Sequence, residues 1–322
     1  MAELLKMTLE DSARLFCKLV PLLFLGLYVA EIAYRIPAVR KLGNMMRPIS
    51  SMARLPEYGS VYLTLCLLNP AAATMSLVDL RKRGAISDEV VIVSSLVSGF
   101  PVMIYFTFFA IGPVALAMLG LQVSMLYILC LLSCGLFQTL MGIATGILLF
   151  ERIQPQKSGV NEQVKYLPIW RIVKGAFYGA IKNLRRIIYV LAPILFIVFF
   201  LTHSGMMAWL EKIAQPVATF LHLPAPSIEL ISTSAMNLIA ACGIGGILLS
   251  RGILRPVEVV ISLMAGAFIY NLGEILHTTM PYNVSFFGLK LGAKMAITIW
   301  LAIGASQALV IVILIGLRGI AL

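Results

Sequence analysis

The order of apolar and polar positions divides the chain into long hydrophobic stretches separated by short polar ones. Such stretches cross a membrane when they reach about 20 residues, the length that spans a hydrocarbon core of about 30 Å. Stretches near or above this length are residues 15–34, 90–118, 121–150, 187–202, 256–276 and 295–317. Their uninterrupted length predicts an all-α polytopic membrane protein, because the strands of a membrane barrel alternate in polarity over about ten residues.

An internal repeat organises these stretches. At an offset of 168 residues, residues 55–100 align with residues 223–268, and 11 of the 46 pairs are identical. The identities include polar or conformationally special residues, such as Asn69 with Asn237 and Gly84 with Gly252. The repeat predicts two units, residues 1–150 and 169–322, joined by a polar linker at 151–168.

Both units have the same predicted order of elements. Each has a span, a connecting stretch (37–54 or 204–222), an interrupted apolar segment (56–80 or 224–250) and two further spans. The break in the first interrupted segment is expected at Asn69 and Pro70, and the second near Asn237 and residues 243–246. The second unit begins with a basic, amphipathic stretch at 169–186, which predicts a helix on the membrane surface.

The distribution of charge predicts how the units are oriented. Residues 35–54 hold five basic residues and no acid, and residues 151–186 hold eight basic residues against two acids, so both are expected in the cytoplasm. The N-terminal residues 1–13, with one Lys and three acids, are expected outside. Segment 56–80 then starts and ends on the cytoplasmic side, which predicts a re-entrant helical hairpin.

Three true spans in each unit would insert the second unit upside down, giving two inverted-topology repeats, each with an interfacial segment and a re-entrant hairpin. Arg251 and Arg255 oppose this orientation, because it places them outside. An alternative therefore stays open, in which both interrupted segments cross the membrane and the units are parallel.

The composition also indicates a membrane protein, and it limits the classes of partner that the chain is expected to bind. Hydrophobic residues make up 60% of the chain and charged residues 12%, and the net charge is +11. The basic residues lie between the apolar stretches, so they favour lipid head groups over nucleic acid. Motifs for nucleotide binding, structural zinc or Ser/His/Asp catalysis are missing. We expect a multi-pass plasma-membrane protein without enzymatic activity or a resident cofactor.

The interrupted segments contain the first candidate binding residues. A hairpin tip inside the membrane exposes backbone polar groups that lipid cannot satisfy, so it must face protein or a solvated cavity. The first tip offers Asn69, Thr74 and Ser76, and the second offers Asn237. These residues form a solute site if the tips meet near the midplane; alternatively, the two Asn side chains only cap the helix breaks.

The spans that follow the hairpins contain the remaining candidates. Interruptions are predicted at 98–101, which includes Ser98, and at 271–273, which includes Asn271. Glu274 and His277 come directly after the second interruption and share one helix face. Ionisable residues within a membrane are candidates for function. This pair suits a proton, a divalent metal or a local hydrogen bond, and the sequence assigns no metal ligand set.

This order of elements resembles the nucleoside recognition (Gate) domain superfamily. That group includes concentrative nucleoside transporters, the membrane part of ferrous-iron transport protein B, and spore maturation proteins A and B. The resemblance implies a permease for a small polar solute such as a nucleoside, with Na⁺ or H⁺ as coupling ion. It also implies binding by hairpin tips and unwound spans, here residues 69–76, 98–101, 237–242 and 271–274.

The chain also departs from the pattern of that superfamily. Its first tip reads Asn-Pro-Ala-Ala-Ala-Thr, without the Gln-Thr-Glu type of cluster expected for a nucleoside and sodium site. The resemblance therefore leaves two alternatives open, a divalent-metal (ferrous-iron) permease and a non-transporting scaffold of the spore-maturation type. The expected partners are membrane lipid, a small-molecule or ion substrate, and a second copy or a paired protein of the same superfamily.

Overall fold

A computed structural model describes residues 42–56, 58–150, 169–203 and 208–320, together with scattered residues between 5 and 28. The predicted linker 151–168 and most of the predicted first span, 15–34, lie outside the described residues. The described part of the chain is helical, without β-strands. The all-α prediction is therefore confirmed.

The first unit consists of short helices followed by a long one. Its elements are α1 (Leu42–Met52), α2 (Tyr58–Leu68), α3 (Pro70–Lys82), α4 (Asp88–Val97), α5 (Gly99–Phe106), the π-helical turn π1 (Thr107–Ile111) and α6 (Gly112–Leu149). Helix α6 contains a sharp reversal at Gly120, whose φ of 73° and ψ of 169° are not helical. The positive φ suits glycine, which has no Cβ to clash with the backbone.

The second unit repeats this order after one long helix. Its elements are α7 (Ile169–His203), α8 (Ala208–Phe220), α9 (Pro226–Met236), α10 (Leu238–Ser250), α11 (Pro256–Glu274), π2 (Ile275–Thr279), α12 (Met280–Phe287) and α13 (Leu289–Ile320). Helices α2 and α3 and turn π1 recur as α9, α10 and π2 with both ends displaced by 168 residues. The reversal at Gly120 recurs at Gly288, where φ is 81°.

Three of the described stretches are long and apolar enough to cross a membrane: Gly99–Leu149, Pro256–Glu274 and Leu289–Arg318. The first, of 51 residues, is two antiparallel segments rather than one rod. A Cβ added at Gly135 would meet Met103 Cβ at 2.7 Å, and one at Gly142 would meet Val97 N at 2.6 Å. Gly135 and Gly142 thus pack against Met103 and Val97, so the chain reverses its direction at Gly120. This is expected from the predicted spans 90–118 and 121–150.

Each pair of short helices folds back on itself at an asparagine. Helices α9 and α10 meet at Asn237, and a Cβ added at Gly245 would lie 3.6 Å from Leu230 Cδ1. Helices α2 and α3 meet at Asn69. Helix α2 runs parallel to α4, because Tyr58 faces Ser94 and Tyr62 bonds Ser98 one turn later. The first hairpin therefore returns the chain to the end where it entered.

The two units share both hydrophobic cores. One core joins the first hairpin and α4 to the second unit, and includes Leu63 and Val91 together with Phe287 and Leu291. The other joins the second hairpin and α11 to α6, and includes Leu230 and Val260 together with Leu119. Because each hairpin packs against helices of the opposite unit, the two units interlock.

Gly246 allows α10 of the second hairpin to pack closely against α6. A Cβ at this position would run into the carbonyl oxygen and carbon of Met118, which are backbone atoms that cannot rotate away. We expect Gly246→Ala to lower the free energy of unfolding by about 1–3 kcal/mol, the usual cost of overpacking a core. Gly316→Ala is the control, because nothing lies within 4 Å of its added Cβ. Denaturant unfolding in detergent measures both, and equal effects would contradict the packing account.

An arginine joins the same two backbone positions in each unit. Arg54 donates to the carbonyl oxygen of Ile147 at 2.9 Å and to that of Phe150. Arg318 donates to the carbonyl oxygen of His222 at 2.8 Å and to Glu258 Oε1 at 2.8 Å. Positions 54 and 150 correspond to 222 and 318 at the repeat offset. The same pair of positions is thus joined in both units. The arginine occupies the first position of the pair in the first unit and the second position in the second unit.

Two of the predicted breaks are wrong, and two predicted elements form one helix. Residues 243–246 lie inside α10 and residues 271–273 lie inside α11, so neither segment is a break. The predicted surface helix 169–186 and the span 187–202 form one continuous helix, α7, of 35 residues. At 1.5 Å per residue this helix is about 50 Å long, which exceeds the hydrocarbon thickness of about 30 Å.

Candidate functional site

A narrow cleft lies beside the π2 turn of the second unit. A π-helical turn widens the helix by one residue and interrupts its regular hydrogen bonding, and such turns often occur at functional sites. The turn π2 continues directly from α11. The cleft is formed by residues from α11, π2 and α13: Asn271, Glu274, Ile275, Thr279, Ile299, Trp300 and Ile303.

Hydrogen bonds between α11 and α13 position the wall of this cleft. Asn271 Nδ2 donates to Gln307 Oε1 at 2.8 Å. Trp300 Nε1 donates to the carbonyl oxygen of Asn271 at 3.1 Å. Both the side chain and the carbonyl of Asn271 are therefore held by the facing helix, so the two helices are fixed in register at this level.

Glu274 supplies the carboxylate of the cleft. Its side chain is half-buried and lies beside the Thr279 side chain. The enclosed space beside it is about 20 Å³, roughly the room that one water molecule needs. In this conformation the cleft therefore suits a water molecule or a small ion, and it is too small for a nucleoside.

The first unit provides an internal comparison for this site. Positions 271, 274, 279, 300 and 307 correspond to Met103, Phe106, Ile111, Leu132 and Thr139. All but Thr139 are apolar, although the backbone forms the same π turn in both units. The fold therefore does not require polar residues at the other four positions, where the polar set is specific to the second unit.

Two of the predicted site residues, Asn271 and Glu274, come together in this cleft. The side chain of His277 lies outside the described part of the structure. The sequence interpretation missed Thr279 and Trp300 as members of the site. Comparison of the two units at the 168-residue offset is the signal that finds them, since both replace an apolar residue of the first unit.

The predicted residues of the hairpin tips have local partners. Asn69 Oδ1 accepts from Ala71 N at 3.1 Å, and Asn237 Oδ1 accepts from Ile239 N at 3.0 Å and Ala240 N at 2.9 Å. These are helix N-cap bonds, which satisfy otherwise unpaired backbone donors. Residues beside the first tip, Leu67 and Ala73, belong to one hydrophobic core, and residues beside the second, Ala240 and Ala241, belong to the other.

The other residues predicted in the first tip bond within α3. Thr74 Oγ1 donates to the carbonyl oxygen of Pro70 at 3.0 Å, and Ser76 Oγ donates to that of Ala73 at 2.7 Å. Both hydroxyls thus form hydrogen bonds with the backbone of their own helix.

We expect Asn237→Ala to lower the free energy of unfolding by about 1 kcal/mol, because it leaves two backbone N–H groups without an acceptor. Asn237→Ser keeps an N-cap oxygen and is the matched control. Thermal unfolding of the two variants in detergent separates them. An alanine variant as stable as the serine variant would contradict the capping role.

Ser98 belongs to a second polar region, in the first unit. Its hydroxyl accepts from Tyr62 OH at 3.3 Å and donates to the carbonyl oxygen of Ser95 at 2.8 Å. Beside it, Thr139 Oγ1 donates to the carbonyl oxygen of Val97 at 2.9 Å and accepts from Phe100 N at 2.8 Å. Thr139 thereby braces the junction between α4 and α5.

The potential metal ligands can be compared within the described part of the chain, which leaves out the side chain of His277. Among those residues, no group of three or more His, Cys, Asp or Glu side chains is arranged to hold a metal ion. The described cysteines are free thiols: Cys17, Cys66, Cys130, Cys134 and Cys242.

The chain is similar along most of its length to three proteins of Methanocaldococcus jannaschii. Uncharacterized protein MJ1556 is 28% identical over 85% of this chain and 86% of its own length. Uncharacterized protein MJ0871 is 28% identical over 80% of this chain and 79% of its own length. Uncharacterized protein MJ0880 is 25% identical over 87% of this chain and 91% of its own length.

Two further comparisons, with family profiles and with solved structures, found no match. The chain is thus similar, over 79–91% of the length of each of these relatives, to archaeal proteins whose names state no activity.

Proposed function

We propose that this chain is an integral membrane transporter of the Gate type, built from two inverted repeats, that moves a small polar solute past the π2 cleft. The observation that carries the proposal is the polar set around Glu274, within a stretch of membrane-spanning length. Burying a carboxylate there costs free energy. The first unit forms the same backbone without it, so a functional role explains its presence.

Contacts between the units support the inverted arrangement. Arg81, at the end of the first hairpin, donates to the carbonyl oxygen of Phe287 at 3.3 Å, directly before the turn at Gly288. Leu119, directly before the turn at Gly120, lies against Gly245 near the end of the second hairpin. Each turn thus lies at the end where the other unit's hairpin begins, as expected for units that enter from opposite sides.

The dimensions of the cleft favour a small cargo or coupling ion in the present conformation. Glu274 offers a carboxylate for Na⁺ or H⁺, and Asn271 and Thr279 supply neutral polar groups near it. A nucleoside, the solute suggested by the resemblance to Gate proteins, needs a wider cleft. Movement of the hairpins relative to α11 and α13 would supply that space, as in other transporters with inverted repeats.

The exposed part of α7 supports lipid as a partner. Arg171 lies 5.7 Å from the centre of the Trp170 ring, and Lys174 lies 5.9 Å from it. Trp170 is 60% exposed. Aromatic and basic residues of this kind are typical of the membrane–water interface, so we place this part of α7 among the lipid head groups.

Uptake by proteoliposomes tests the proposed function. The purified chain would be reconstituted and offered labelled uridine, Fe²⁺ or labelled Na⁺, each with and without an imposed proton gradient. The proposal expects uptake of a polar solute or ion above that of empty vesicles. Uptake of Fe²⁺ alone would favour the metal permease, and the absence of every flux would favour the non-transporting scaffold.

A further inference from the structure

The two hairpins differ in how much of their second helix the rest of the protein covers. In α10 of the second hairpin only Ser250 is exposed, and the run from Ala240 to Gly245 is buried. In α3 of the first hairpin the exposed residues are three or four positions apart, so they form a continuous face. These residues are Ala71, Met75, Asp79 and Lys82. One side of α3 is therefore uncovered, whereas α10 is enclosed.

The neighbours of the two helices show the same difference. Helix α10 packs against α9 of its own hairpin and also against α6, α7 and α11. Helix α3 packs mainly against α2 of its own hairpin and has a smaller contact with α4. Regions with few packed neighbours open locally at low cost. We therefore expect α3 to separate from the protein more easily than α10.

Arg81, in the last turn of α3, ties this helix to both units. Its Nε donates to Asp88 Oδ1 at 2.7 Å, and its Nη1 donates to the carbonyl oxygen of Phe287 at 3.3 Å. Asp88 begins α4 of the same unit, and Phe287 ends α12 of the other unit. The side chains of Arg81 and Asp88 are 33% and 52% exposed. Exposed ion pairs contribute little to stability, so these bonds hold α3 only weakly.

The second unit closes the equivalent contact with apolar side chains. Positions 81 and 287 correspond to Leu249 and Leu119 at the 168-residue offset. Leu119 is 3% exposed and belongs to the core that includes the second hairpin, and Leu249 packs against that core. Burial of apolar surface is favourable because it removes that surface from water. The end of one hairpin is thus closed by packing, and the end of the other by an exposed charge.

We propose that α3 is a movable arm, that Arg81 latches it closed, and that α10 stays in place when α3 opens. The arm begins after Asn69, where α2 has ended, and stops before Gly84, whose φ is 69°. Opening exposes the buried side of α3, including Leu77. This inference goes beyond the proposed function and holds whether or not the chain transports a solute.

Thiol modification of matched cysteines tests the difference between the two helices. Ala73 and Ala241 are counterparts at the repeat offset and are 1% and 0% exposed. Each would be replaced by cysteine in a cysteine-free background and treated in detergent with a small, water-soluble thiol reagent. We expect Ala73→Cys to react several-fold faster than Ala241→Cys. Equal rates, or a faster reaction of Ala241→Cys, would overturn the proposal.

Removal of the arginine tests the latch. In the Ala73→Cys background, Arg81→Met should raise the reaction rate about two- to five-fold, which corresponds to the loss of an exposed ion pair. Arg83→Met is the matched control, because Arg83 pairs with Asp79 of the same hairpin and does not tie it to other helices by that bond. The control should leave the rate unchanged. A rate for Arg81→Met no higher than for Arg83→Met would contradict the latch.

Amide hydrogen exchange of the wild-type chain measures the same motion without a substitution. Mass spectrometry of peptides from residues 70–82 and 238–250 gives the exchange rates of the two helices. The first segment should exchange several-fold faster than the second. Exchange at the same rate, or slower exchange of the first segment, would count against a movable α3.

Discussion

Replacing Glu274 by Gln is expected to reduce solute uptake roughly 100-fold, the loss that corresponds to a charge-assisted interaction of about 3 kcal/mol. The amide preserves the shape of the side chain and removes its negative charge. If the carboxylate binds the solute or its coupling ion, uptake falls while the protein stays folded. Initial uptake rates in proteoliposomes, with reconstituted protein quantified, measure the effect.

Two variants control this prediction. Glu274→Asp keeps the charge and should retain part of the uptake. Glu89→Gln removes a carboxylate from the exposed first turn of α4 and should leave uptake unchanged. Wild-type uptake by Glu274→Gln would contradict the assignment of the π2 cleft as the site.

Replacing Arg318 by Met is expected to lower the free energy of unfolding by about 3–5 kcal/mol, because it leaves a buried carboxylate without its partner. The Glu258 side chain is 8% exposed and lies 2.8 Å from the Arg318 guanidinium. The same arginine also holds the His222 carbonyl oxygen. Its loss therefore loosens the contact between α11, α13 and the start of the second hairpin. Denaturant unfolding in detergent measures this loss.

A second substitution separates charge burial from general damage. Glu258→Gln in the Arg318→Met background removes the unpaired charge and should recover part of the stability. Arg83→Met breaks an exposed ion pair, in which the side chains of Arg83 and Asp79 are 72% and 57% exposed. It should lower the free energy of unfolding by less than about 1 kcal/mol. An Arg318→Met variant no less stable than Arg83→Met would show that the buried pair contributes little.

The hairpin breaks were predictable from the sequence because their signals are local and recur at the repeat offset. Asn69 and Asn237 are polar residues inside apolar segments, and they stand at the same offset as the other identical pairs. An Asn that caps a helix accepts hydrogen bonds from backbone N–H groups only two or three residues away. Local sequence therefore determines where each hairpin turns.

The false breaks were predicted where distant contacts decide the structure. Asn271 resembles a helix breaker, but Gln307 and Trp300, 36 and 29 residues away, hold it within α11. Gly246 lies in a glycine-rich segment that suggested a turn. Its lack of a side chain instead admits the Met118 backbone. Contacts over such sequence distances cannot be predicted from a local sequence pattern.

The members of the π2 cleft were only partly predictable for a geometric reason. Helical periodicity assigns residues to faces at 3.6 residues per turn, whereas a π turn shifts all later residues around the axis. Thr279 thereby reaches the cleft from five residues beyond Glu274, and Trp300 reaches it from another helix. The sequence left open whether the hairpin tips form a joint solute site or only cap the helix breaks, and the described contacts of Asn69 and Asn237 are capping bonds.

The central claim is that the two units are inverted across a membrane, and paired cysteine labelling tests it most directly. Ser87 and Arg255 occupy equivalent positions at the 168-residue offset, and both are exposed. Single cysteines at these positions in a cysteine-free background would be treated with a membrane-impermeant thiol reagent in oriented vesicles. We expect Ser87→Cys to react from the cytoplasmic side and Arg255→Cys from the external side. Reaction of both from the same side would contradict the inverted repeat.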